Sequence, residues 1–282
     1  MTDPFLKFAP PGHFYSPLPD IEEVRKAVVK GWPPLEATLP GIELRANEQL
    51  SLYNSFKRFL DDFHTFPEKK HRDRRYYKLN DAFGDGDGFA LYSMIRQHSP
   101  KRIIEVGSGF TSGLMLDTNE IHFRDSIHMT FIEPYPQVLH SVLQPQDHER
   151  CVILSKKVQE VDPAVFSALE RDDILFIDSS HISKFQSDVN FLVFQILPRL
   201  KPGVMVHFHD VFFPFDYPAA WLLEGRAWNE NYLLRAFLQH NAAFRIELFS
   251  NYLWRARENL IALEIRQRVK NSGGSLWLSR VA

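Results

Sequence analysis

Four side chains able to transfer protons or bind metal ions lie directly after two apolar runs of this 282-residue chain. Asp178 and His181 follow one run. His209 and Asp210 follow the other. If the two runs are neighbouring parallel strands, their carboxyl ends open into one crevice. The spacing therefore predicts that these four side chains converge at one edge of a sheet.

Two chemistries fit this group. In the first, Asp178, His209 and Asp210 bind a divalent metal ion that holds a substrate hydroxyl group and lowers its pKa. An imidazole ligand weakens the case for Mg²⁺, which prefers oxygen, and admits Mn²⁺. In the second, no metal binds, and His209 or His181 is a general base oriented by a neighbouring aspartate. The residues leave both open, and we expect Asp178, His209 and His181 to be the catalytic residues.

A glycine-rich turn follows the first apolar run, in the sequence IIEVGSGFTSG that begins at Ile103. Gly107 and Gly109 let the backbone pass close to a ligand, and the helix that follows offers free N–H groups. Glu133 ends the second run, about 24 residues after Gly109, at the place where an acid hydrogen-bonds both hydroxyls of a ribose. Together the turn and the acid predict a nucleoside-binding site.

The elements that position these residues alternate in type from Lys101 onward. Short apolar runs alternate with helical patterns, and continuous apolar strands of this kind indicate a mostly parallel sheet covered by helices on both faces. A long apolar stripe from Phe185 to Leu200 predicts a buried helix face before the fifth run. We predict seven strands, over residues 102–106, 128–133, 151–154, 173–178, 203–208, 244–249 and 275–280.

The beginning of the chain differs from the rest. Eight prolines fall within the first 45 residues, leaving room for one short helix capped by Asp20. We predict an N-terminal helical and loop cap over 1–90 and a Rossmann-like domain over 91–282. The cap is expected to cover the carboxyl ends of the strands, with Tyr15, Tyr76 and Tyr77 at the mouth of the pocket.

Composition excludes several classes of protein. The net charge of −2, from 33 basic and 35 acidic residues, gives no electrostatic support for a nucleic-acid partner. The lone Cys151 cannot form an internal disulfide, and no secretory signal or apolar run long enough for a membrane span occurs. We expect a soluble cytoplasmic protein with a small-molecule partner and no nucleic-acid or membrane partner. Its oligomeric state stays open, with a homodimer as one option.

Three segments carry a resemblance to a known family. The sequence EVGSG from Glu105 to Gly109 resembles the first motif of class I S-adenosylmethionine-dependent methyltransferases. The run 173–178 looks like the family's fourth motif, and residues 200–206 look like the lead-in to its fifth strand. The resemblance covers about residues 85–282 and implies S-adenosylmethionine as the cofactor. It assigns cofactor binding to Glu105, Gly107, Ser108, Gly109, Thr111, Ser112, Glu133, Pro134 and Asp178.

The resemblance also implies an activity. It suggests methyl transfer to an oxygen of a small or sugar-like acceptor, with nitrogen as the second choice. The acids after strands four and five are similar to the metal site of metal-dependent O-methyltransferases, but His209 stands where an oxygen ligand is usual. A divalent metal (Mg²⁺ or Mn²⁺) and a metal-independent histidine base therefore remain alternatives. A nicotinamide-dependent oxidoreductase or a non-catalytic cofactor-binding protein would share the glycine turn, although Glu105 within the strand argues against the oxidoreductase.

Overall fold

Seven strands form one sheet in the computed structural model of the chain, which describes residues 8–36 and 38–281. The strands lie in the order β3-β2-β1-β4-β5-β7-β6, and β7 is antiparallel to both of its neighbours. Their bounds are β1 Arg102–Val106, β2 His128–Ile132, β3 Cys151–Leu154, β4 Ile174–Ile177, β5 Met205–Phe208, β6 Phe244–Phe249 and β7 Leu276–Arg280. The predicted Rossmann-like α/β fold is confirmed, with each strand within two residues of its predicted ends.

Helices connect the strands and pack around the sheet. Their bounds are α1 Ile21–Val29, α2 Ala46–Ser55, α3 Leu60–His64, α4 Asp85–His98, α5 Phe110–Thr118, α6 Gln137–Val142, α7 Asp147–Arg150, α8 Ala164–Ser167, α9 Asp188–Phe191, α10 Ala219–Leu223, α11 Glu230–Leu238, α12 Ser250–Ala256 and α13 Leu263–Arg268. No helix of the described ranges 8–36 and 38–281 is both long and apolar enough to cross a membrane.

Local signals explain where several helices begin. The side chain of Asp20 caps α1 by accepting hydrogen bonds from the N–H groups of Glu22 (2.7 Å) and Glu23 (3.2 Å), as predicted. The predicted buried stripe is wrong at its start, because Phe185 precedes α9 and is 88% exposed. The segment after α9 continues as a π-helix over 192–196.

Two sets of contacts hold the N-terminal segment where the structure describes it, in residues 8–36 and 38–45. Helix α1 packs against α10. The Arg45 side chain binds the carboxylate of Glu247 (3.0 Å) and the carbonyl of Ile246 (2.9 Å) on β6. The predicted boundary between residues 90 and 91 falls inside α4. These contacts attach the segment to β6 and α10.

The two adjacent tyrosines that were expected at the pocket mouth have different environments. Tyr76 is wholly buried, and its hydroxyl donates to the carbonyl oxygens of Phe83 (3.1 Å) and Gly84 (3.2 Å). That part of the prediction is wrong, because the ring belongs to the core. Tyr77 is half-buried and packs edge-on against Phe110, just after the glycine turn.

A buried arginine holds the loop 75–84 against the sheet domain. Arg75 donates twice to the carboxylate of Asp147 (2.7 Å each) and once to that of Asp117 (2.8 Å). Asp117 also accepts from the N–H groups of Arg75 and Tyr76 (2.9 Å each). Planar guanidinium groups suit such forked contacts. The loop is therefore fixed to α5 and α7, and Phe83 at its end lies 5.2 Å from the ring of His209.

Candidate active site

The four predicted side chains meet at the carboxyl ends of β4 and β5. His181 is nearly buried, and its Nε2 atom lies 3.3 Å from Asp178 Oδ1 and 3.6 Å from Asp210 Oδ2. Its Nδ1 atom lies 2.9 Å from a carboxylate oxygen of Glu230, the first residue of α11. This contact fixes the imidazole so that Nε2 faces the two aspartates.

His209 lies among three carboxylates. Its Nδ1 atom is 3.4 Å from Asp178 Oδ1 and 3.6 Å from Asp210 Oδ1, and its Nε2 atom is 3.5 Å from Asp87 Oδ2. The residue is 5% exposed, yet neither ring nitrogen makes a hydrogen bond of good geometry within residues 8–36 and 38–281. Buried polar atoms are normally satisfied, so both nitrogens could accept or donate one further bond to a ligand.

Burial and charge shift the ionisation of these groups in opposite directions. Burial raises the pKa of an acid, but the neighbouring His209 and His181 hold the pKa of Asp178 below its usual range. Burial lowers the pKa of His181, but its bonds to Asp178 and Glu230 outweigh this effect and raise the pKa to about 10. The surrounding aspartates likewise raise the pKa of His209, whereas burial raises that of Asp210.

The backbone is unusual at two of these residues. His181 has φ of +59° and Asp210 has φ of +57°, both in the left-handed region that residues with a side chain seldom adopt. Such conformations persist where the surrounding structure holds them, and they are common at functional sites. In this protein both residues belong to the acid–histidine centre, where His181 contacts Asp178 and Asp210 contacts both imidazoles.

The sequence interpretation missed two members of the centre. Asp87 lies in the first turn of α4, which begins at Asp85, and it points inward to His209. Its carboxylate accepts from the N–H of Gly274 (2.9 Å) and the hydroxyl of Ser275 (2.7 Å). Glu230 belongs to no motif and follows no strand, so its position in the first turn of a helix did not indicate a functional role. His207 lies within β5 but in the core, stacked on Phe176, and is not part of the centre.

Asp178, His181 and Asp210 form a potential metal-binding group. They offer one ligand atom each, and these three atoms lie within 4.8 Å of one another. The predicted metal set contained His209 in place of His181. The structure brings both imidazoles to the same pair of aspartates, so the geometry adds His181 to the candidate ligands.

A groove of about 470 Å³ lies beside this centre. Its lining includes Gly107, Glu133, Pro134 and Asp178 from the predicted cofactor site. The carboxylate of Glu133 accepts from the N–H groups of Ser108 (3.2 Å) and Tyr135 (2.8 Å), which hold it at the groove wall. Asp178 belongs both to the groove and to the acid–histidine centre, so the two sites are continuous.

Three of the predicted cofactor residues lie behind the groove wall. Glu105 on β1 is wholly buried and accepts hydrogen bonds from the hydroxyls of Thr111 and Ser112. Ser112 in turn accepts from the N–H of Gly109 (3.1 Å). Burial raises the pKa of Glu105 to about 8, although the two hydroxyl groups oppose the rise. These contacts shape the glycine turn from behind.

The two glycines of the turn should respond differently to substitution. Gly107 has φ of +85°, and an added Cβ would lie 1.7 Å from the carbonyl oxygen of Asp178. A Cβ at Gly109 would meet only the Val138 side chain, at 3.2 Å. We expect Gly107→Ala to lower the free energy of unfolding by more than the roughly 1–3 kcal/mol of a left-handed backbone.

Gly109→Ala should keep the free energy of unfolding within about 1 kcal/mol of that of the original protein, because the exposed Val138 side chain can move aside. The same substitution should weaken cofactor binding. Urea unfolding of both variants and calorimetry with S-adenosylmethionine measure the two effects. Equal stability of the two variants would show that Gly107 is not needed for the approach of β1 to Asp178.

Comparison with known proteins identifies the region that contains these sites. A family model described as a methyltransferase domain matches residues 104–211, a range that includes the glycine turn and the acid–histidine centre. An uncharacterized protein of Archaeoglobus fulgidus is 35% identical over 173 residues, which are 60% of this chain and 76% of that protein.

Solved structures of similar chains include two methyltransferases. One is the S-adenosylhomocysteine-bound methyltransferase PaMTH1 of Podospora anserina, 12% identical with a TM-score of 0.45 over 88% of this chain and 100% of that one. The other is the O-methyltransferase TomG of Streptomyces achromogenes in complex with S-adenosylmethionine. It is 12% identical with a TM-score of 0.43 over 82% and 90% of the two chains.

The family match agrees with the structure of the chain itself. The glycine turn after β1 and the acid after β2, from which a nucleoside-binding site was predicted, both lie within the matched residues. The chain is thus a member of the family that includes the archaeal protein, and it is a class I S-adenosylmethionine-dependent methyltransferase.

Proposed function

We propose that this methyltransferase acts on a hydroxyl oxygen of a small-molecule acceptor and uses a divalent metal ion held by Asp178, His181 and Asp210. One observation carries the proposal: the three ligand atoms lie within 4.8 Å of one another directly beside the groove. Asp178 lines the groove as well. The acceptor's hydroxyl group and the cofactor's methyl group would therefore meet at Asp178.

The donor set fits a metal ion. A metal-binding histidine usually donates its other ring N–H to a carboxylate, and Glu230 accepts from His181 in this way. Asp87 Oδ2 lies 3.5 Å from Nε2 of His209, too far and too poorly aligned for a hydrogen bond. His209, whose ring nitrogens have no hydrogen-bond partner among residues 8–36 and 38–281, is a fourth candidate donor. Mixed nitrogen and oxygen donors favour Mn²⁺, Fe²⁺ or Zn²⁺ over Mg²⁺.

The chain's own residues act mainly by positioning. Bound in the groove, S-adenosylmethionine would supply the methyl group: the acceptor oxygen would bond the carbon and lose its proton to solvent, and the electron pair of the broken C–S bond would stay on sulfur. A bound divalent ion would lower the pKa of the acceptor's hydroxyl group. Glu133 would hold the ribose hydroxyls, and the turn at Gly107 brings the backbone close to the cofactor. The loop ending at Phe83 excludes water from His209.

A metal-independent reaction is the second candidate. Its support is the same cluster, since each imidazole lies within 3.6 Å of oxygens from at least two carboxylates that could orient a general base. Native mass spectrometry of the protein purified without chelator tests the proposal. We expect the masses of the cofactor or its product and of one divalent ion. A complex with cofactor that never takes up added Mn²⁺ would favour the second candidate.

The ribose assignment of Glu133 gives a separate prediction. Glu133→Gln should weaken binding of S-adenosylmethionine roughly ten- to a hundredfold, because a charged hydrogen-bond acceptor is lost. Calorimetry measures the affinity, and Glu149→Gln, an exposed substitution on α7, is the matched control. Unchanged affinity in Glu133→Gln would contradict the ribose role.

A further inference from the structure

Aromatic side chains extend from the acid–histidine centre towards solvent. The Trp228 ring lies 4.5 Å from the His181 ring, and the Trp221 ring lies 5.3 Å from that of Trp228. Phe212 packs edge-on against Trp221 at 5.1 Å. Trp221, Trp228 and Phe212, here called the aromatic wall, are all half-buried. Flat apolar surface is therefore accessible beside the centre.

Hydrogen bonds fix the aromatic wall relative to the centre. The N–H groups of Asn229 and Glu230 both donate to the carbonyl of His181 (3.1 Å each). The N–H of Arg226 donates to the carbonyl of Trp221 (3.1 Å). Trp228 lies in the chain between Arg226 and Asn229, whose N–H groups make these hydrogen bonds. The wall is thus preorganised next to His181, as a subsite for part of a substrate requires.

Arg226 adds a charge to this wall. Its guanidinium carbon lies 4.2 Å from the ring centre of Trp221 and 5.1 Å from that of Trp228. Its Nε donates to Glu224 (2.8 Å), while its two terminal nitrogens have no acceptor among residues 8–36 and 38–281. Terminal guanidinium nitrogens match a carboxylate in a planar fork. An anionic group on a ligand would therefore bind at Arg226.

We propose that the acceptor is a planar hydroxylated carboxylic acid, an inference that rests on the proposed function. Its ring lies against the aromatic wall, its carboxylate pairs with Arg226, and its hydroxyl reaches Asp178 and Asp210. The guanidinium sets this orientation, because its two terminal nitrogens attract the acid group and pair with it in a fork, whereas the ligand atoms of Asp178 and Asp210 lie where the hydroxyl group is expected. Arg226 is thus a specificity-determining residue.

Binding of two probes that differ only in charge tests the proposal. Calorimetry compares 4-hydroxybenzoate with 4-hydroxybenzamide on the full chain saturated with S-adenosylhomocysteine and Mn²⁺. The original protein should bind the acid about ten- to a hundredfold more tightly than the amide. Arg226→Gln should lose this preference and keep its affinity for S-adenosylhomocysteine. Arg199→Gln changes an exposed residue in the turn that precedes β5, at the amino end of that strand. This control should keep both the preference for the acid and the affinity for S-adenosylhomocysteine.

The aromatic wall has its own test. Trp221→Leu should weaken binding of 4-hydroxybenzoate about tenfold, and the original protein should bind trans-4-hydroxycyclohexanecarboxylate, which lacks a planar ring, more weakly than 4-hydroxybenzoate. Equal affinity for the acid and the amide, no binding of the acid, or a preference that survives Arg226→Gln would overturn the proposal.

Turnover separates this inference from the proposed function. If the acid binds preferentially through Arg226 but no methyl ether forms, the subsite stands and O-methylation of this class fails. If neutral and acidic hydroxyl compounds are methylated equally well, O-methylation stands and the role of Arg226 is wrong. Mass spectrometry of the products distinguishes the two results.

Discussion

Replacing Asp178 by asparagine is expected to lower the affinity for Mn²⁺ by about a hundredfold or more and to remove methyl transfer. The carboxylate faces both His181 and His209, and losing even a residue behind the ligands typically costs ten- to a hundredfold in metal affinity. Titration of the purified protein with Mn²⁺ measures the loss. Asp162→Asn is the control. Asp162 accepts a hydrogen bond from the N–H of Ala164 at the start of α8, and an asparagine side chain can accept the same bond.

Chelation extends the same test to the original protein. A chelator should stop the reaction, and added Mn²⁺ should restore it. His181→Ala and His209→Ala then show which imidazole is a ligand, since the structural group contains the first and the sequence interpretation contained the second. A rate unaffected by chelator in the original protein would contradict the metal and favour one of the two histidines as a general base.

Removing the Arg75 guanidinium should produce the largest loss of stability. Arg75→Met leaves the carboxylates of Asp117 and Asp147 buried without their partner, and breaking a buried ion pair in this way costs about 3–5 kcal/mol. Urea unfolding followed by circular dichroism measures the change. Arg150→Met is the matched control: it removes a half-exposed pair with Asp125 (3.0 Å) and should cost about 0–1 kcal/mol.

A second arginine variant keeps the test informative if Arg75→Met does not fold. Arg75→Lys retains the charge but loses the forked contact with both aspartates, so we expect an intermediate loss of stability. A loss below about 1 kcal/mol for Arg75→Met would show that this network does not hold the loop 75–84 in place.

The sheet and the outline of the site were predictable because they follow from strand ends. Apolar runs of four to six residues fix the strands, and residues directly after them must lie at one edge. Asp178 and His209 are in this class. Asp87 and Glu230 are not, because each comes from the first turn of a helix, where an acid is ordinarily explained by the helix dipole.

The covering of the site was harder to predict for a related reason. Prolines in the first 45 residues indicate an extended chain, but nothing in their spacing shows which edge of the sheet that chain follows. Arg45 attaches it to β6. The loop over His209 is instead defined by Arg75, whose partners Asp117 and Asp147 are 42 and 72 residues away in the sequence.

The buried Glu105 couples the folding of the chain to the uptake of a proton. Its pKa is raised to about 8 in the folded protein, whereas glutamate in an unfolded chain titrates near about 4.3. Between these values the folded protein holds a proton that the unfolded chain has released. The free energy of unfolding should therefore fall as pH rises through this window, by up to about 1.4 kcal/mol per pH unit.

Glu105→Gln keeps the shape of the side chain but removes the titrating group, so its free energy of unfolding should lack this dependence on pH. The original protein should therefore lose stability relative to Glu105→Gln from pH 5 to 8, and the difference between the two should be constant above that range. A difference independent of pH would mean that Thr111 and Ser112 keep Glu105 ionised. The strand that carries the glycine turn is thus expected to be most firmly held in mildly acidic solution.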